Sequence, residues 1–253
     1  MAPARVLRGF FALFFLATVA ACSAPPAGHP QGQPWDPYEN TNRGFHSFNK
    51  GLDRAIVRPV AYTYSGILGD EVEDSISRFS GNISMPRAII NNVLQGNMRG
   101  ATEDTYRFVV NSTIGLFGLF DVATDLNMPA ATDADFGQTL AVWGVREGAY
   151  VELPVFGPST ERDTLGLVVD LFMNPLDYWI RDPEEYYVFG TGVSATLTNR
   201  ERLGQTIDGI LYESADSYAQ ARSLYLQNRR FKVGDSGSAG YLDPYDDPNL
   251  ATE

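Results

Sequence analysis

The chain is poor in the side chains that most protein chemistry uses. It has one cysteine and two histidines among 253 residues. A single thiol closes no internal disulfide, and one thiol with so few imidazoles leaves little for a metal site. His29 lies in a Pro/Gly stretch, so His46 is the imidazole of the body of the chain. Familiar enzyme motifs are missing as well: HExxH, CxxC, a GxSxG elbow, a GxxxxGK[ST] loop, and GxGxxG after a strand. No catalytic residue, metal ion or cofactor is expected. Basic residues are few, 19 against 31 acids, for a formal charge of −12. That balance excludes nucleic acid as a partner, because phosphate contacts need clustered Lys and Arg. It also means that any membrane contact must be apolar rather than electrostatic. Beyond the N-terminus, no uninterrupted apolar run reaches the roughly 18 residues of a spanning helix.

The one cysteine stands in an informative place. Arg5 and Arg8 precede an apolar run from Phe10 to Val19, and the small residues Ala20 and Ala21 lead to Cys22. This is the order of a secretory signal, and the run is too short to span a bilayer. The tetrapeptide "VAAC" resembles the lipobox of bacterial lipoproteins, in which the cysteine is acylated and becomes the first mature residue. Ser23 follows, with no aspartate to retain the protein in the inner membrane, so an outer-membrane address is expected. Anchoring by more than one acyl chain is stable, since each buried methylene adds about 0.8 kcal/mol. Loss of residues 1–21 removes two arginines and no acid, so the mature chain is still more acidic.

Composition divides the rest. Residues 22–34 form a lipidated cysteine and a Pro/Gly/Gln tether, residues 35–231 a folded body, and residues 232–253 an acidic tail without a core. In the body the helical period dominates. Val72, Ile76, Phe79 and Ile83 form one stripe, with Asp70 and Glu71 at its start. Tyr106, Val109, Val110, Thr113, Ile114 and Phe117 share a second face, which Asn97 or Thr102 can cap. Residues 115–120 continue it and are apolar all round, as in a segment buried in protein or in lipid. Residues 164–173 read as a helix that Asn174-Pro175 ends. Two more helical patterns follow, one with Leu203, Ile207, Ile210 and Leu211, the other with Tyr218, Ala221, Leu224, Tyr225 and Phe231. In the last, Arg229, Arg230 and Lys232 suit the C-terminal dipole. The best strand candidate is residues 149–157. Arg43, Arg58, Arg107 and Arg162 accompany Asp36, Glu39, Asp53, Asp104 and Asp163, and buried or partly buried ion pairs are their expected use, with a bidentate grip on a phosphate headgroup as the alternative.

Several stretches, in order, carry a family likeness: "DPYENTNRGFHSFNKGLDRAIVRPVAYTY" (36–64), "FSGNISMPRAIINNVLQGN" (79–97), "RFVVNSTIGLFGLFDVAT" (107–124), "DFGQTLAVWGVREGAYVELPVFGPSTERD" (135–163) and "YLQNRRF" (225–231). Together they resemble the MlaA family, also called VacJ, of outer-membrane phospholipid-trafficking lipoproteins. The resemblance implies a mainly α fold: a ring-like arrangement of amphipathic helices embedded in the outer membrane, with Gly/Pro-rich loops and little or no strand. It implies a channel, not an enzyme. Mislocalised phospholipids would leave the outer leaflet through it and pass to a periplasmic lipid-carrier protein, with a trimeric porin holding the ring. The alternative is a scaffold lipoprotein bound to a porin that moves no lipid; a lipid hydrolase with an unusual site is a third. By resemblance, Phe48 and Asn49 belong to the element that sets the channel's gated state. The loop of residues 134–163, with Gly137, Gly144, Gly148 and Gly157, packs near the pore. Ile114, Leu116, Phe117, Leu119 and Phe120 are expected to face the membrane. Where the family often has Gly-Pro-Tyr, this chain has Gly148-Ala149-Tyr150, which leaves the loop without proline's fixed φ.

Overall fold

The structure, a computed structural model, describes residues 24–27, 33–180 and 184–234. The signal segment, Cys22 and residues 235–253 of the tail lie outside the described residues. The fold is mainly helical with one two-stranded sheet. Helix α1 is Glu39–Leu52, and α2 is Arg58–Leu68, with a π-helical turn, Asp53–Val57, between them. Long α3 is Asp70–Leu94, and α4 is Met98–Thr113. Short α5 (Val122–Asp125) and α6 (Phe136–Val142) lead to the hairpin of β1 (Tyr150–Leu153) and β2 (Gly157–Thr160). Helix α7 is Glu161–Asp170, and a 3-10 turn, Pro175–Tyr178, follows. Then come α8 (Glu184–Arg202), α9 (Gly204–Asp208), a second π-helical turn (Gly209–Glu213) and α10 (Ser217–Lys232).

Short polar side chains start these helices. The Asn97 carboxamide accepts the Gly100 N–H at α4, Asp135 accepts Gln138 N–H at α6, Thr160 accepts Asp163 N–H at α7 and Asp216 accepts Ala219 N–H at α10. Each satisfies an amide that the first turn leaves without a partner. Helix α3 packs on α4 and α8, α2 on α8, and α6 on α7, while α1 lies on β1. The α6–α7 contact is very close: a Cβ on Gly166 would stand 2.3 Å from the Gly137 amide nitrogen. The body begins at Trp35, whose carbonyl accepts the Tyr150 N–H at 2.8 Å.

Three expectations need correction. Residues 134–163 are not one loop: they hold α6, the hairpin and the start of α7. The helix through Tyr106 stops at Thr113 instead of running on to Phe120. Leu116, Phe117 and Gly118 all have positive φ, which a right-handed helix cannot accommodate. The strand of residues 149–157 is instead a hairpin pairing Tyr150 with Thr160, turning through Val155 at φ 71°. The residues of α8 gave no periodic signal, because its apolar residues are scattered around it and only Thr198 and Arg200 are buried.

What is buried is the unusual feature. Among the described residues the buried set holds twelve apolar residues, six of them alanine, and 22 polar or charged ones. On α4 the buried face is Ala101, Asp104, Arg107 and Asn111, and the exposed face includes Tyr106, Val109 and Ile114. On α3, Glu73, Asn82, Asn91 and Asn92 are buried while Val72 is exposed. Large side chains such as Trp179, Phe172, Phe189 and Phe231 lie in the open. Burying one such side chain is worth about 1.5–3 kcal/mol, and exposed apolar patches of this extent mark interaction surfaces.

Candidate functional site

The polar interior is a set of connected networks. Asp104 is fully buried and accepts bonds from Asn92 Nδ2 at 2.9 Å and from the amide and hydroxyl of Thr132. Arg107 binds both carboxylate oxygens of Asp121 and the carbonyls of Met128 and Pro129, which fastens α4 to the segment after α5. Arg229 bridges Asp135 and Asp163, tying the ends of α10, α6 and α7 together. Burial alone would raise the Asp163 carboxyl, but Arg229 and Arg162 hold it below the usual carboxylate range. Ion pairs are therefore present as expected, within the named set for Arg43 with Glu39 and Arg162 with Asp163, and with other partners elsewhere: Arg58 meets Asp208, Arg107 meets Asp121, Asp36 meets Arg222, and Asp53 meets Arg200. The last-turn bases of α10 are paired too, Arg230 with Glu147 and Lys232 with Asp133.

The first candidate element is the seam between α1 and the hairpin. Asn42 Nδ2 donates to the Tyr150 carbonyl and its Oδ1 accepts the Glu152 N–H. Two turns on, the Asn49 amide donates to the Leu153 carbonyl at 2.8 Å and accepts the Val155 N–H at 2.7 Å. A left-handed Val155 is costly, and this bond helps to hold it. Phe48, next to Asn49, points outward and is exposed. Between them His46, 6% exposed, meets Ser217 Oγ through Nε2 at 3.0 Å and Glu152 Oε1 through Nδ1 at 3.4 Å. Glu152 is also bound by the Tyr150 hydroxyl. No group of acids, His and Cys among the described residues is arranged to hold a metal ion.

Cavities adjoin these networks. One of about 360 Å³ lies beside the seam, lined by His46, Asn49, Asp53, Glu152, Phe156 and Leu211. The two π-helical turns border it, and Asp53 in the first accepts the Tyr212 hydroxyl from the second. Burial and that carboxylate push the Tyr212 phenol up to about 12. Cavities of about 200 and 290 Å³ flank Arg87 and Asp170, and the larger shares Phe156 and Pro158 with the first. All three mix apolar wall with charged wall, an arrangement suited to an amphipathic guest.

The glycines and the apolar segment fall in different settings. Gly144, Gly148 and Gly157 have φ near +80° and make turns, whereas Gly137 sits inside α6 against Arg229 and Asp163. Ile114, Leu116, Phe117, Leu119 and Phe120 form one exposed apolar knuckle, with Phe117 at 68% exposure. Beneath it, Gly118 packs on Asn82, whose amide donates to the Phe117 carbonyl. Among the described residues no helix is long and apolar enough to cross a membrane.

The MlaA lipoprotein family model matches residues 34–232, the whole of this architecture. The chain belongs to the MlaA lipoprotein family. It is 32% identical over 239 residues to the Escherichia coli protein named "Intermembrane phospholipid transport system lipoprotein MlaA", covering 92% of this chain and 91% of that one. The Haemophilus influenzae protein of the same name is 29% identical over 203 residues, 79% of this chain and 80% of that one. A Rickettsia bellii protein named only as uncharacterized is 34% identical over 200 residues, 79% of this chain and 77% of its own length. A solved structure described as "Structural basis for maintenance of bacterial outer membrane lipid asymmetry" superimposes with a TM-score of 0.66 at 28% identity. It covers 78% of this chain and 98% of its own. For an MlaA-family chain, the sequence already marks residues 114–120 as an apolar segment. Sequence reasoning missed Asp121, and it missed Glu152 and Arg200, whose partners His46 and Asp53 lie 106 and 147 residues away and leave no periodic trace.

Proposed function

We propose that this chain is an outer-membrane lipoprotein of phospholipid transport that helps keep the two leaflets different in lipid content. In the finer reading it is anchored through an acylated Cys22 after removal of residues 1–21. It offers an amphipathic path by which phospholipids leave the outer leaflet for a periplasmic carrier, with a trimeric porin as its neighbour in the bilayer. The observation that carries this is the inverted polarity: carboxylates, guanidiniums and carboxamides are buried, and aromatics and branched aliphatics are exposed. Lipid on the outside stabilises the second set, and a headgroup path on the inside gives the first set a purpose. The family is named for lipoproteins of a transport system, and transport of a phospholipid makes and breaks no bond.

A strain lacking the gene tests it. Outer-leaflet phospholipid, read by surface labelling, should rise in that strain and fall when the wild-type gene is returned. Phe117→Asp should fail to restore it while still co-purifying with porin. Unchanged asymmetry in the deletion strain sinks the transport reading. Full restoration by Phe117→Asp removes the knuckle from membrane contact and favours a scaffold.

A further inference from the structure

Arg87 stands apart from the other guanidiniums. Among the described residues, every other buried or half-buried arginine has a carboxylate within salt-bridge distance, as in Arg107–Asp121, Arg162–Asp163, Arg200–Asp53, Arg222–Asp36 and Arg229–Asp135. Arg87 is half-buried, has no ion pair there, and its Nε is buried without a hydrogen-bond partner. It follows Pro86 inside α3 and lines both the 200 Å³ and the 290 Å³ cavities. Asp170 lines both as well, and Asp177 lines the smaller. These two acids are satisfied by neutral donors. Asp170 accepts from Asn91 and the Phe136 N–H, and Asp177 accepts from Asn174. Both feel the Arg87 charge without touching it. Beside these charges, Ile83, Leu171 and Val188 give the smaller cavity an apolar wall.

We infer that Arg87, with Asp177 and Asp170, forms a binding site for a zwitterionic headgroup, a phosphodiester carrying a primary ammonium. The argument rests on the transport reading above and adds a lipid preference to it. A guanidinium with open donors grips phosphate oxygens in a fork. Two carboxylates that no cation neutralises by contact attract the ammonium a few ångströms away. An anionic headgroup such as phosphoglycerol supplies the phosphate and nothing for the acids, so it meets repulsion where the zwitterion meets attraction. The apolar wall takes the first carbons of the acyl chains.

The test uses the full-length lipoprotein in detergent, loaded from micelles holding equal phosphatidylethanolamine and phosphatidylglycerol, with bound lipid counted by native mass spectrometry. The wild type should hold phosphatidylethanolamine in excess. Arg87→Gln should lower total bound lipid about tenfold, the loss of a charge-assisted contact, and Arg87→Lys should recover part of it. Asp177→Asn should leave phosphatidylglycerol bound and shrink the preference. Circular dichroism checks that each variant is folded. A folded Arg87→Gln with wild-type lipid content and ratio overturns the site while leaving transport standing. A wild type with no bound lipid at all overturns the transport reading itself. Displacement of the lipid by equimolar soluble phosphoethanolamine would show that the site takes the free headgroup and would overturn its assignment to lipid.

Discussion

Arg200, two residues from the end of α8, closes a two-pronged ion pair on Asp53 in the first π-helical turn, with Nε–Oδ1 at 2.6 Å and Nη2–Oδ2 at 2.8 Å. Both side chains are almost fully buried, and Arg200 also reaches Asp208 at 2.7 Å. The pair joins α1 to α8 across 147 residues of sequence. Removing Arg200 leaves the Asp53 carboxylate buried without its cation, which costs about 3–5 kcal/mol, whereas removing Asp53 leaves Arg200 its second partner, Asp208. Arg200→Gln should lower stability by about that amount and Asp53→Asn by less, measured by denaturant unfolding of the detergent-solubilised protein. The double variant should cost clearly less than the two single losses added together. Additive losses would show that the two residues act independently.

Acid should unfold the protein through its paired carboxylates. Burial alone would raise Asp53 and Asp163, yet Arg200 and Arg229 hold both below the ordinary value near 3.8. A depressed folded value means stability that is present above the unfolded pKa and is lost as pH falls through the folded one. Melting temperature should therefore be flat above about pH 5 and drop below about pH 4. Asp170 runs the other way: burial raises its carboxyl, so its own contribution improves as it protonates. Asp163→Asn should flatten the acid limb while lowering stability at pH 7. An unchanged acid limb in that variant would remove the Asp163–Arg229 pair from the account.

Two glycines should respond very differently to one methyl group. A Cβ on Gly166 would press on the backbone of Gly137, which cannot move without separating α6 from α7. Gly166→Ala should cost at the upper end of the roughly 1–3 kcal/mol that overpacking brings, or prevent folding. Gly144 has open space around it and only its φ of +85° to defend. Gly144→Ala should cost about 1 kcal/mol. Thermal unfolding orders the two, and the reverse order would contradict the packing.

The sequence revealed the helices whose faces differ in polarity and concealed the rest for a physical reason. The period of Tyr106, Val109 and Ile114 marked a helix correctly. It was silent on which face lies inside, because an apolar stripe points to a core in water and to hydrocarbon in a membrane. Asn97 capped α4 as its position implied. The knuckle at residues 114–120 looked helical because its residues are apolar, yet Leu116 and Phe117 take left-handed conformations that composition does not encode. Arginines and acids announced ion pairs, but pairing is set by tertiary distance, so Asp104 went to Asn92 and Thr132 while Arg107 took Asp121. Charge in α10 looked like a helix-dipole device, and Arg229 proved to be a buried bridge.

The seam between α1 and the hairpin is where stability and transport can be separated. Asn49 ties the hairpin turn by a bond to the Leu153 carbonyl and another from the Val155 amide, while Phe48 beside it is exposed. Asn49→Ala frees two backbone groups and should cost about 1–3 kcal/mol. Phe48→Ala removes an outward ring and should change stability by no more than about 0.5 kcal/mol. If this seam governs passage of lipid, both variants should alter outer-leaflet phospholipid, and only Asn49→Ala should shift the melting curve. The nearby Ser217–His46–Glu152 chain gives a control in the same experiment. Labelled phospholipid incubated with the wild type should release no fatty acid. Steady release abolished by Ser217→Ala would turn the seam into a hydrolytic centre and overturn the reading of this chain as a non-enzymatic lipid path.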